Sequence, residues 1–153
     1  MDNGKGATVV PTLSMRLFAN VLKHLGQTKE IRQLFIEIIQ CMKSHISSTN
    51  KNTRLAIATL LLNMTSSFVN DNHIVGIEEI FDNIFDVLLL AVNSPSFTDS
   101  QVTMTRILLA VGTLAFVARS RGMYRKQKSE LLAAVARISD NDVVNEVVDI
   151  LTL

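Results

Sequence analysis

Apolar positions recur along this chain with the rhythm of helices. After Thr28, a plausible N-cap, Ile31, Leu34, Phe35, Ile38, Ile39 and Met42 follow an i, i+3, i+4 pattern and fall on one helical stripe. From Ile74 to Val92, Ile77, Ile80, Phe81, Ile84, Phe85 and Leu88 form a second stripe, with Glu78, Glu79, Asp82 and Asp86 mostly off it. Other segments have no polar side at all. The stretch TRLAIATLLLNMTSSF, residues 53–68, is apolar around the whole helical wheel, yet Asn63 interrupts it and Arg54 opens it. The pattern predicts helices over Thr12–Leu25, residues 28–46, Arg54–Val69, residues 74–92, residues 100–118, Lys126–Ile138 and Asp142–Leu151. Gly26 ends the first, and SSTNKN, NDNH, NSPSFTDS and RSRGMY read as connector, turn, loop and corner. Pro95 should keep the helix before it from running on. Residues 1–11, rich in glycine and polar residues, read as a flexible lead-in.

Three apolar helices resemble one another. SMRLFANVL, IATLLLNMT and LLAVGTLAF can be laid together with Asn20, Asn63 and Thr113 as their shared polar residue, at spacings of 43 and 50 residues. Each is followed by a more clearly amphipathic helix. A helical repeat of this length is the mark of HEAT and armadillo solenoids, in which one helix per repeat is sandwiched and so apolar all round. The expected class is all-α, an armadillo/HEAT-like solenoid of about three helical repeats. A single irregular helical bundle is the rival arrangement.

Composition narrows the picture. Of the 153 residues 48% are apolar but only 5% aromatic, and two prolines and six glycines are too few turn residues for an all-β chain. The net charge of +1 gives no bulk argument for nucleic acid or a membrane surface. The lone Cys41 can form no internal disulfide and suggests a reducing compartment. The first ten residues lack a signal-peptide core, and polar residues or glycine break the apolar runs before the length of a membrane span. The expectation is a soluble intracellular protein.

The segments NKNTRLAIATLLLNMTSSFVNDNHIVG, TRILLAVGTLAF and VVNEVVDILTL, with the early LSMRLFANVL, resemble the PUL domain over roughly residues 12–153. That domain forms the C-terminal part of the phospholipase A2-activating protein and its yeast ubiquitin-pathway relative. The resemblance implies stacked armadillo-like repeats. It also implies docking on the acidic C-terminal tail of the hexameric AAA+ ATPase valosin-containing protein, in ubiquitin-dependent degradation and ubiquitin recycling. A cytoplasmic and nuclear location follows from that role. The family's domain is usually longer, with further repeats before the one holding Arg16, so a shortened groove is expected, as is a monomer or weak self-association through the truncated end.

The residues suggest how such a tail could be held. An Asn amide offers one donor and one acceptor to a passing peptide unit, so Asn20 and Asn63 are expected on a concave surface. Arg16 lies four residues before Asn20 and Arg106 seven before Thr113. At about 100° per residue each arginine shares a face with its polar partner, whereas Arg54 falls opposite Asn63. A guanidinium fork suits carboxylates. Arg106 also matches the arginine that opens the family's Leu-Leu-x-x-Gly-Thr-Leu helix. The candidate peptide-binding groove is therefore Arg16, Asn20, Asn63, Arg106 and Thr113. The alternatives are an Asn that ties a neighbouring segment in place, and arginines engaged in surface or intramolecular pairs.

Other signals are weaker. Arg119, Arg121, Arg125, Lys126 and Lys128 make a basic run that reads as a solvated corner or a long-range guide for acidic ligands. His24, His45 and His73 lie apart, with no metal-ligand spacing, and Cys41 reads as a small buried hydrophobe. No nucleophile–base set, phosphate loop or stacking platform is visible, so no catalysis, cofactor, metal or nucleic acid is expected. Two other roles compete with peptide docking: an appendage that targets a fused or associated thioredoxin-like or desumoylating enzyme, and a helical oligomerisation domain.

Overall fold

The apolar stripes become helices, and their packing explains why some are one-sided and others are not. The computed structural model describes residues 12–21, 34–69, 77–98, 100–123, 127–138 and 142–152. These form α1 (residues 12–21), α2 (Phe35–His45), α3 (Lys51–Ser67), α4 (Ile77–Asn93), α5 (Pro95–Thr98), α6 (Gln101–Ser120), α7 (Gln127–Val135) and α8 (Asp142–Thr152), with no strand among the described residues. The protein is all-helical. The lead-in, the Gly26 stop, the Thr28 cap, the NDNH turn, His24 and His73 lie outside the described residues.

Among the boundaries that differ from the pattern, two have a clear local cause. The expected connector SSTNKN gives its last two residues to α3, which starts at Lys51 because Asn50 caps it: the Asn50 side chain accepts from the amides of Asn52 and Thr53. The loop NSPSFTDS contains the single turn α5, with Pro95 at its first position. Proline stops α4 yet suits a helix start, where its missing N–H has no partner to lose. Phe97 of this turn is 1% exposed and plugs the core.

α3 packs along α6, and α6 along α8. α1 joins the same row through two ties, the buried Thr12–Thr53 hydroxyl pair at 2.6 Å and an Asn63 bond to the Ala19 carbonyl at 2.7 Å. A second row runs from α2 to α4 to α7. Along α1, α3 and α6 neighbours run parallel. Thr12 and Ala19 meet Thr53 and Asn63 in the same order, and Thr59 and Phe68 meet Arg106 and Arg121 likewise. Parallel neighbours need a returning helix between them, and the second row supplies it. This packing is compatible with stacked repeats.

The rows account for composition. α3 is flanked by α1 and α6, so Ala56, Ile57, Ala58, Leu60, Leu61 and Met64 are all buried around its circumference. α2 covers one side only, burying Phe35, Ile38, Ile39 and Met42. Phe68 joins the rows. It meets Phe35 edge-on at 5.6 Å and Phe81 tilted at 5.2 Å, and each such buried ring contributes about 1.5–3 kcal/mol by leaving water. α6 is 20 residues long and apolar enough to cross a membrane by length and composition, contrary to the expectation that polar breaks prevent this; 61% of its most apolar window is buried inside the fold. Its hydrophobicity serves packing against α3, α4 and α8.

Candidate peptide-binding face

Three helices of the first row carry no acid. α1, α3 and α6 contain no Asp or Glu, while Arg16, Lys51, Arg54, Arg106 and Arg119 lie on them. The carboxylates of the described chain sit on α2, α4, α7 and α8. This segregation comes from sequence, but only the pairing of α1, α3 and α6 turns it into one continuous acid-free face.

Arg16 and Asn20 are exposed on α1 and make no hydrogen bond or ion pair among the described residues. Asn63 and Arg106 are half-buried and each reaches back to the preceding helix of the row. Asn63 Nδ2 donates to the Ala19 carbonyl, so the expected alternative of an amide that ties a neighbour in place is present in the structure. Its Oδ1 accepts no bond among the described residues and remains available. Arg106 Nη1 donates to Thr59 Oγ1, and Thr59 in turn donates to the Leu55 carbonyl at 2.7 Å. The hydroxyl's proton is thus committed to Leu55 and its lone pairs face the guanidinium. Arg106 has no carboxylate partner among the described residues, and its other N–H donors stay open. Arg54 is buried on the other side of α3, where Nη1 donates to the Ser48 carbonyl at 2.8 Å.

Arg16 lies between the two α1–α3 ties, which sets it level with the middle of α3, where Thr59 sits. Arg16, Thr59 and Arg106 form one column across three helices. Thr59 was missed by the sequence reading. Its signal was available, because it follows Arg16 by 43 positions, the spacing of Asn20 and Asn63.

Thr113 lies elsewhere. It is half-buried in a cleft between α6 and α8, beside Leu109, Phe116 and Glu146. Gly112 lets α8 come close, since a Cβ there would stand 3.3 Å from Val147 Cγ2. The structure groups Arg16, Asn20, Asn63 and Arg106 on the acid-free helices α1, α3 and α6 and sets Thr113 against the acidic α8.

Of the other signals, Cys41 needs correction: it is exposed. Met42 holds the buried position of α2, and Cys41, about 100° around the helix, faces out. His45 Nδ1 pairs with the Cys41 carbonyl at 2.9 Å. Arg121 Nη2 donates to the Phe68 carbonyl at 3.0 Å, so this member of the basic run closes the end of α3. No cluster of metal-ligating side chains occurs among the described residues.

The PUL domain family model matches residues 8–150, nearly the whole chain and including part of the expected lead-in. No curated protein and no solved structure matches the chain.

Proposed function

The chain belongs to the PUL domain family, whose members are protein-interaction modules, and on that premise we propose that its α1–α3–α6 row docks the acidic C-terminal tail of the AAA+ ATPase valosin-containing protein. In this reading the protein is a non-catalytic adaptor of ubiquitin-dependent degradation and ubiquitin recycling, acting in the cytoplasm and nucleus. The fold is an armadillo-like solenoid, with α1, α3, α6 and α8 as equivalent rungs and α2, α4 and α7 as the returning helices. The side-chain bonds between rungs support this, because their sequence separations of 41, 44, 47 and 53 bracket the repeat spacings.

One observation carries the docking proposal: three adjacent helices free of carboxylates present Arg16 and Arg106 without ion-pair partners among the described residues. An arginine already neutralised by a neighbour would have little to offer an acidic peptide. Arg106 is also held in place by Thr59, so less side-chain freedom is lost on binding. Arg16, Asn20, the open Oδ1 of Asn63 and Arg106 are the proposed contacts, with Thr113 at the margin of the groove.

Weak self-association through the α1 end has its own support. Leu13 and Leu17 are 58% and 63% exposed, whereas Ala56 and Leu60, their counterparts 43 positions on, are 3% and 0% exposed. Among the described residues α1 lacks the covering neighbour that α3 possesses.

The test is a titration of labelled acidic tail peptide against wild type and Arg106→Glu. Binding should be lost in the variant while its circular dichroism and melting stay close to wild type, and it should weaken as salt rises. Equal affinity of the two proteins would refute the proposal.

A further inference from the structure

Exposed apolar side chains converge farther along α6, beyond Arg106. Val69, Leu109 and Phe116 are 45%, 42% and 55% exposed, and all three line the α6–α8 cleft. Scattered exposed apolar residues are ordinary, but three around one concavity mark a contact surface. The cleft holds about 290 Å³, at the lower limit of small-molecule pockets and suited to one large side chain. Its floor is closed, because Gly112 brings Val147 and Ile150 into contact with α6.

Charge defines what fits. Glu146 lines the cleft, no lysine or arginine does, and Asp142 and Asp149 are exposed on the same helix. None of these three carboxylates has an ion pair or hydrogen bond among the described residues. The nearby Arg119 lines a different hollow, with Phe85 and Lys128, and makes no ion pair with these carboxylates among the described residues. We infer that the α6–α8 cleft is a second protein-docking site, which takes a segment bearing one large apolar side chain next to a lysine or arginine. The apolar group fills the space between Leu109, Phe116 and Val69, and the cation meets Glu146. An acidic segment is repelled here, so this site and the arginine column select opposite charges on one protein.

Two acetylated, amidated peptides test the inference, Gly-Lys-Phe-Lys-Gly and Gly-Glu-Phe-Glu-Gly, titrated by NMR. The lysine peptide should bind roughly fivefold more tightly, the effect of a partly exposed charge pair. Glu146→Lys should reverse that preference, Phe116→Ser should weaken both peptides, and Arg106→Glu should change neither. That last arm separates this site from the proposed tail groove. Equal binding of the two peptides, no binding, or a lysine preference that survives Glu146→Lys would overturn the inference. So would self-association of the wild type that Phe116→Ser abolishes, since a second copy would then be the occupant.

Discussion

Asn63 donates its side-chain amide to the backbone carbonyl of Ala19 at 2.7 Å, joining residues 44 positions apart. This bond explains why a helix built for burial holds an amide. α3 packs on α1 at that point, and a polar side chain at the edge of the contact fixes how far the two helices slide along each other. Apolar packing alone is far less selective about such sliding.

Asn63→Ala should therefore lower stability by about 1 kcal/mol, the net worth of one such bond. Asn63→Asp should cost more near neutral pH, because a carboxylate cannot donate and faces a carbonyl oxygen. Only the protonated carboxyl can donate to Ala19, so folding favours the neutral form, and the added cost should shrink as pH falls through the carboxyl range. Urea denaturation at neutral and acidic pH checks both outcomes. A variant as stable as wild type at neutral pH would remove the tie from consideration.

Thr59 orients Arg106 through a hydroxyl already committed to Leu55. Thr59→Val keeps the shape and removes the acceptor. It should reduce acidic-peptide affinity by about three- to tenfold, in line with the net worth of one ordinary hydrogen bond, while Thr59→Ser retains near wild-type affinity. Calorimetric titration of the three proteins distinguishes this positioning role from simple packing, which valine would satisfy.

Gly122 closes α6 with φ +65°. Its amide donates to the Arg119 carbonyl and the Met123 amide to that of Ala118, the paired bonds of a Schellman cap. A Cβ at Gly122 would meet no atom within 4 Å, so the penalty is conformational alone. Gly122→Ala should destabilise by about 1–2 kcal/mol and Gly122→Asn by less, since asparagine visits this region more readily. Thermal melts of the two variants rank them.

Cys41 is exposed. A thiol-specific chromogenic disulfide reagent should modify it in the native protein without denaturant. Modification that requires urea would return the side chain to the core.

Sequence determined the helical class. Ile38, Ile39 and Met42 on α2 and Ile80, Ile84 and Leu88 on α4 were legible as one-sided stripes, because a helix with one buried side repeats every 3.6 residues or so. The basic character of α1, α3 and α6 was equally present in the letters. Helix limits were less legible: Asn50 and Pro95 act through local backbone bonds that a hydrophobic pattern does not register.

Tertiary structure decided which side chains share a surface. Arg106, Thr59 and Arg16 are far apart along the chain, and only the parallel pairing of their helices makes them a column. Asn63 and Thr113 look equivalent by spacing, yet one bonds to α1 while the other lines a cleft beside Glu146. The physical reason is that periodicity fixes a residue's angle about its own helix axis, whereas its partners depend on which helix comes to lie against that angle.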